Sequence, residues 1–311
     1  MSISTVYIKF NQNIPANGVV TFLMVHSIIP FIQCLRPKQW TKNLLVLAAF
    51  LFSLNKISLS AGVDAFLGFL LFCATSGVVY IVNDWFDLEK DRAHPVKKFR
   101  PMAAGRIPPN AALTFGLILL GASFAFALSK NLMFGLLLIA YFLMNVAYSA
   151  WLKHVVILDI MIIAAGFVMR SVGGGLIIGV QLTPWFLVCT MLLALFLAVS
   201  KRRHEFISMP DKASRRKVLK LYSTQLLDQL ISIVTTSTII SYSLFTFTSG
   251  SNYHMMWTIP FVMYGIFRYL YLIYMKDEGG SPEKILLEDK PMLITVLLYG
   301  LSVFIILRYL Q

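Results

Sequence analysis

Apolar runs of about twenty residues recur along most of this 311-residue chain, separated by stretches where charge and proline gather. Runs of that length predict transmembrane helices, because about 20 helical residues cross the ~30 Å hydrocarbon core with every backbone group bonded internally. The pattern predicts about nine spans, at 41–54, 61–83, 108–128, 131–149, 157–179, 184–200, 224–248, 255–275 and 291–309. The first is short and borrows from the residues before it. Val19 to Trp40 is apolar, with Arg36, Lys38 and Lys42 around its end and Pro37 interrupting it, which fits an interfacial helix leading into that span. Residues 1–18 read as a tail, without the basic start, apolar run and small-residue site of a cleaved signal peptide. The expectation is an all-α, polytopic membrane protein with residues 19–311 forming one helical domain.

Composition agrees, with 58% hydrophobic and 13% charged residues and a mean hydropathy of +0.75. The formal net charge of +13 is unevenly placed. Connections at 84–107, 150–156, 201–223 and 276–290 hold most of the Lys and Arg residues, whereas the opposite connections hold only Lys56 and Lys130. By the positive-inside rule this places the N-terminus and the long loops in the cytoplasm of a cell with the protein in its inner membrane. Part of the charge serves topology and anionic lipid, and part can serve a polyanionic substrate. No nucleic-acid partner is expected, because no aromatic interleaving or known module accompanies the basic loops. Cys34, Cys73 and Cys189 lie in apolar segments at no metal-ligand spacing and predict no disulfide.

Polar chemistry is densest from Asn83 to Arg106. Asp84, Asp87 and Asp91 fall at i, i+3 and i+7, on one face of a continued helix. Like charges so placed repel, and at a membrane helix end they are costlier still. A divalent cation would remove the conflict, and hard carboxylate oxygens with positions left open for phosphates suit Mg²⁺. The alternative is a solvated acidic end balanced by the basic run that follows. Lys97, Lys98 and Arg100 in that run could meet the outer phosphates of a metal-bound ligand.

These residues carry a resemblance. Asn83, Asp84, Asp87 and Asp91 match the N-D-x-x-D-x-x-x-D motif of the UbiA superfamily of intramembrane prenyltransferases, in which it binds Mg²⁺ and a diphosphate. The continuation through Arg92, His94, Pro95, Lys97, Lys98, Arg100, Pro101, Ala103, Ala104 and Gly105 resembles the polyprenyl-phosphate phosphoribosyltransferase branch. Arg36 to Asn43 resembles the family's approach to its first helix, although three headgroup anchors would look the same.

A second constellation comprises Tyr148 and Lys153 closing the fourth span and Asp159 opening the fifth. Asp159 can join a metal- or hydroxyl-binding shell, or can simply favour the helix N-terminus. Arg170 lies about three turns further in, where a charge normally faces a partner or a water-filled cavity, and could be linked to Asp159 through substrate or water. Gly173-Gly174-Gly175 has neither a preceding strand nor a following Gly-Lys-Ser/Thr. Close helix packing or a local break is expected there rather than a nucleotide loop.

The sixth span ends in Lys201, Arg202, Arg203, His204 and Glu205. Aromatic prenyltransferases of the UbiA type carry D-x-x-x-D here, whereas this chain has Lys201 and Glu205 at the corresponding ends, as in the K-R-x-x-E pattern of the phosphoribosyltransferase branch. Basic residues there would create a direct phosphate site. Tyr222, Asp228, Arg268 and Asp289 also look like that branch without suggesting a chemistry.

The resemblance implies Mg²⁺-dependent transfer of 5-phosphoribose from 5-phosphoribosyl 1-diphosphate to a polyprenyl phosphate, for cell-wall biogenesis. In this reading loops 84–107 and 201–223 cap the site. Asp84, Asp87, Asp91 and Asp159 act in catalysis, the first three as metal ligands, and Asn83, Lys97, Lys98, Arg100, Tyr148, Lys153, Arg170, Lys201, Arg202 and Glu205 bind substrate. Transfer from a prenyl diphosphate to an aromatic acceptor is the alternative within the enzymes, and transport of a phosphorylated substrate is the alternative outside them. Membrane lipid is the standing partner, and a homo-oligomer stays open.

Overall fold

The structure, a computed structural model, describes residues 28–53, 58–208, 217–248, 253–280 and 282–310. Val19 to Ser27 of the expected interfacial helix, and Lys212, Arg215 and Arg216 of the basic loop, lie outside the described residues.

Eight helices among the described residues are long and apolar enough to cross a membrane. They are α1 (Leu59–Phe86), α2 (Pro109–Lys130), α3 (Leu132–Ala150), α4 (Leu158–Ile178), α5 (Pro184–Ser208), α6 (Thr224–Thr248), α7 (Ile259–Met275, which reaches spanning length with the 3₁₀ helix Tyr253–Thr258 before it) and α8 (Lys290–Tyr309). No strand occurs among the described residues. Local chemistry marks several starts. Pro stands in the first turn of α2, α7 and α8, where its missing N–H costs nothing. Asn131 caps α3 and Asp289 caps α8 with their side chains.

The predicted first span takes a different form. Residues 28–34 are helical, Arg36 turns the chain in the left-handed region (φ 51°), and a 3₁₀ helix, Pro37–Leu47, runs into a single α-turn, Ala48–Leu51. A residue before proline is disfavoured in the right-handed helical region, so the break falls at Arg36. The 3₁₀ stretch lies against α1 and α4, with Val46 and Ala49 fully buried.

α1 and α4 are the most buried spans. α1 touches α2, α3 and α4; α4 also touches α3 and α5; α5 packs along α6, and α7 pairs with α8. Side chains such as Leu117, Ile118, Leu143, Leu297 and Leu301 remain exposed on the outside of the bundle, as a lipid-facing surface requires. The glycine run in α4 serves packing, since the helix continues to Ile178. A Cβ at Gly173 would strike Phe72 of α1, and one at Gly174 would sit 2.0 Å from the Val46 carbonyl oxygen. The break comes at Gly179, which ends α4 in the left-handed conformation (φ 70°).

Length places the charges. At 28 residues, α1 is about 42 Å long, more than the ~30 Å core needs, and its surplus carries Asn83 and Asp84 beyond the apolar stretch. α5 likewise continues to Ser208, so Lys201 to Glu205 are helical and not part of a loop. Contacts between Arg36 and Asp84, Lys153 and Asp87, and Tyr222 and Asp159 put the corresponding connections at one end of the bundle.

Gly174→Ala is expected to destabilise the bundle by about 1–3 kcal/mol, because α4 and the 3₁₀ segment must separate. Gly121→Ala, in open space on α2, should be neutral or slightly stabilising. Thermal unfolding of both variants in detergent checks the contrast.

Candidate active site

The first carboxylate cluster is built by a change of direction. α1 stops at Phe86, and Asp87 sits at the junction with a short helix, Leu88–Ala93, so the three aspartates do not stand on one continuous helix as their spacing predicts. Asp84 (4% exposed) and Asp91 (2% exposed) are both buried. Arg100 bridges them: its Nη1 donates to Asp84 Oδ1 at 3.0 Å and also to Asp91 Oδ2. Arg36 donates to the same Asp84 oxygen and rests over the Tyr80 ring at 4.6 Å. Lys97 Nζ is 3.9 Å from Asp91. Asp87 instead faces Lys153, whose Nζ lies 3.0 Å from both carboxylate oxygens.

Among the described residues, no three His, Cys, Asp or Glu side chains converge as a metal site. The chemistry of the donors nevertheless fits a hard cation. One nitrogen of Arg100 sits where a positive charge meets both Asp84 and Asp91, so these two are the carboxylates already arranged to share a cation. Asp87 is turned toward Lys153. Asn83 is half-buried beside Asp84, whereas Lys98 is exposed and leans over Phe99.

The second cluster centres on Asp159, which is 0% exposed. It accepts hydrogen bonds from Arg202 Nε (2.7 Å) and Tyr222 Oη (2.8 Å). Arg202 is itself 3% exposed and also donates to Glu205 (2.8 Å) and the Tyr148 hydroxyl (3.2 Å). Tyr222 Oη in turn accepts from the Ile157 N–H at 2.9 Å. Ile157 adopts φ 69° in a tight turn closed by Leu158 N–H to Val156 carbonyl oxygen, a costly state for a β-branched residue. Burial pushes the Tyr222 phenol above its ordinary pKa, so it stays a neutral donor at physiological pH. Asp159 therefore does more than favour a helix terminus: it joins α4, α5 and the segment before α6.

Two further pairs involve residues without an expected chemistry. Arg203 donates to Asp228 (2.6 Å) and lies over Tyr274 at 4.1 Å, while Tyr274 donates to Asp228 at 2.9 Å. Arg268 holds Asp289 at 2.8 and 3.2 Å. Those bonds keep the Asp289 carboxyl below its ordinary pKa, so the α7–α8 latch is lost only as pH falls through the acidic carboxylate range.

Asp159 and Arg170 make no direct contact. Eleven helical residues separate them by about 16 Å, and Arg170 instead bonds Asn43 and Tyr141. The roles of Asn43, Tyr141 and Arg36 are not apparent from linear spacing. Beside the resemblance of the segment from Arg36 to Asn43, an asparagine inside an apolar run and an arginine before proline are the signals they leave.

The bundle is thus an all-helical, multi-pass membrane protein whose buried carboxylates and surrounding cations gather at one end, the architecture of an intramembrane transferase. The chain belongs to the UbiA prenyltransferase family, whose pattern it matches over residues 43–288. Two curated relatives, each called decaprenyl-phosphate phosphoribosyltransferase, are similar over most of their length. The protein of Corynebacterium glutamicum is 32% identical over 86% of this chain and 83% of its own, and that of Mycolicibacterium smegmatis is 33% identical over 86% and 88%. Among solved structures, a UbiA homolog from Archaeoglobus fulgidus bound to DMAPP and Mg²⁺ has the same fold. Its TM-score is 0.68 at 19% identity, covering 90% of this chain and 99% of that one. The protein is therefore an enzyme, a transferase.

Removing one partner of a buried ion pair typically costs about 3–5 kcal/mol. Arg202→Gln and Asp159→Asn should each lower stability by an amount of that order, and the double variant should cost less than their sum by about 0.5–3 kcal/mol. A double-mutant cycle read by thermal unfolding measures that coupling, and additive losses would contradict the pair.

Proposed function

We propose that this transferase moves 5-phosphoribose from 5-phosphoribosyl 1-diphosphate to a polyprenyl phosphate, releasing diphosphate at the cytoplasmic face of the inner membrane. The observation that carries this reading is the density of cations around the acidic motif. Arg36, Lys97, Arg100 and Lys153 all lie within ion-pair distance of Asp84, Asp87 or Asp91, and Lys201 adds a cation at the α5 terminus. A donor with two phosphate groups at opposite ends of a ribose suits such a site. The relatives named for this activity over most of the chain support it.

Asp84 and Asp91 would hold Mg²⁺, with Asp87 joining them once Lys153 turns to the ligand. When bound, the metal supplies charge neutralisation for the departing diphosphate. Arg36, Arg100, Lys97 and Lys153 can exchange their carboxylate contacts for phosphate oxygens, a substitution that guanidinium and ammonium groups make readily. A phosphate oxygen of the acceptor forms the new bond to the anomeric carbon as the bond to diphosphate breaks. The bonding electrons leave with the diphosphate, and in-line displacement inverts the centre. The acceptor needs no general base, because a phosphate monoester has a second pKa of about 6 and is largely ionised at neutral pH. Catalysis then rests on positioning and charge stabilisation.

Arg202, consumed by Asp159, Glu205 and Tyr148, is better suited to hold the α5 terminus in place than to bind phosphate. Lys201, half-buried on the same turn, is the residue we assign to the 5-phosphate. A prenyl diphosphate as donor fits less well, since the basic α5 terminus would then have no second phosphate group to meet.

The test is incubation of the purified full chain with Mg²⁺, polyprenyl phosphate and radiolabelled 5-phosphoribosyl 1-diphosphate, followed by organic extraction. Label should enter the organic phase and be abolished by EDTA. Asp84→Asn and Asp91→Asn should each reduce turnover at least about a hundredfold. Label confined to the aqueous phase across several prenyl lengths, with incorporation from a prenyl diphosphate instead, would sink the donor assignment. Lys201→Ala should cost about 10- to 100-fold with the full donor and little with ribose 1-diphosphate, which lacks the 5-phosphate. Equal losses with both donors would remove Lys201 from that phosphate.

A further inference from the structure

Arg170 is a buried cation inside the bundle, 7% exposed, and its contacts are neutral. Nε donates to Asn43 Oδ1 at 2.7 Å and Nη2 to the Tyr141 hydroxyl at 2.6 Å, while the rings of Tyr141 and Phe167 lie 5.0 and 5.2 Å from the guanidinium carbon. Asn43 passes the network on by donating to Ser76 Oγ (3.0 Å) and Cys73 Sγ (3.3 Å). Among the described residues, no Asp or Glu pairs with Arg170, and its Nη1 donors have no protein hydrogen-bond partner. Every other arginine that the structure buries, Arg202 and Arg203, has a carboxylate.

Position gives that free edge a meaning. α4 runs inward from the charged end, and helical side chains lean back toward their own N-terminus. Nη1 accordingly lies beside Gly166, where a Cβ would come within 3.3 Å of it; the absent side chain leaves the edge uncovered. Gly166 is seven residues from Asp159, about 10 Å along the axis. On α1, Tyr80 stands one turn above Ser76 and contacts Arg36, so polar groups continue from the carboxylate cluster down to Arg170. A cation at this depth is costly unless an anion meets it, and a guanidinium edge with two parallel N–H groups matches phosphate oxygens.

We propose that Arg170 receives the phosphate monoester of the lipid acceptor, fixing it on the membrane side of the donor with its prenyl chain among the apolar helices. This rests on the reading of the acceptor as a prenyl phosphate and adds the residue that recognises its headgroup. Attack requires the acceptor oxygen about 3–3.5 Å from the anomeric carbon, and approach from below the carboxylate cluster places it opposite the diphosphate. The donor's 5-phosphate has the same chemistry, so the two sources must be separated experimentally.

Binding to the detergent-solubilised full chain can be measured with geranyl phosphate, geraniol, ribose 5-phosphate and 5-phosphoribosyl 1-diphosphate. Arg170→Gln should weaken geranyl phosphate about 10- to 100-fold, while geraniol and 5-phosphoribosyl 1-diphosphate change less than about twofold. Unchanged geranyl phosphate binding, an equal loss of geraniol, or a loss confined to ribose 5-phosphate would each overturn the proposal. If Arg170→Gln does not fold, Arg170→Lys carries the test: the loss of fork geometry should still weaken geranyl phosphate several-fold relative to geraniol, and no difference overturns the proposal. Tyr141→Phe removes a neutral partner but keeps the cation, so headgroup binding should survive; its collapse would assign the effect to packing. Arg170-dependent binding in a protein that transfers no phosphoribose would refute the donor and leave this site standing. Transfer of phosphoribose with acceptor binding indifferent to Arg170 would do the reverse.

Discussion

Charge compensation at the end of a low-dielectric bundle is the constraint on which the rest of this structure depends. Asp84, Asp91 and Asp159 are each almost wholly withdrawn from solvent; Asp84 and Asp159 are met by cations from distant parts of the chain, and Asp91 by Arg100 of its own connection, which it shares with Asp84. Arg36 comes from before the first membrane segment, Arg100 from the α1–α2 connection and Arg202 from the end of α5. A buried carboxylate without its partner costs several kcal/mol, so these pairs specify how four separate segments meet as well as what the site can bind.

The two most buried helices carry the chemistry because burial and function need the same thing. α1 and α4 lie at the centre, where Gly173 and Gly174 let α4 approach Phe72 and the Val46 backbone. That close contact locks the 3₁₀ segment against both helices, and with it Asn43 and the turn at Arg36. Small residues in membrane helices often serve such approaches, since lipid offers no hydrophobic drive for association. Here they also set the depth of Arg170 and the level of Asp84 relative to one another.

The site also separates two kinds of basic residue that a list of charges would merge. Arg202 has its donors spent on Asp159, Glu205 and Tyr148, and Arg203 is held by Asp228 and Tyr274. Both fasten helices. Among the described residues, Arg36, Arg100 and Lys153 pair with the acidic motif itself or rest on a ring, so a ligand's phosphates can take the place of the carboxylates they hold. Membership of the UbiA family fixes the type of fold.

The sequence by itself determined eight of the nine expected spans, the class of fold and the position of the acidic motif. Each of these is written locally, in apolar runs long enough to cross a bilayer, in proline, asparagine and aspartate at helix starts, and in aspartates three and four residues apart. It also placed the charged connections together at one end, because alternation through a membrane leaves little choice. Only the tertiary structure decided that α1 ends at Phe86, that Asp87 turns to Lys153, and that Asp159 pairs with Arg202 and Tyr222. Those outcomes depend on which side chains meet across gaps of 43 to 66 residues. Helical periodicity sets which face a residue occupies but carries no information about the partner that packing brings to that face.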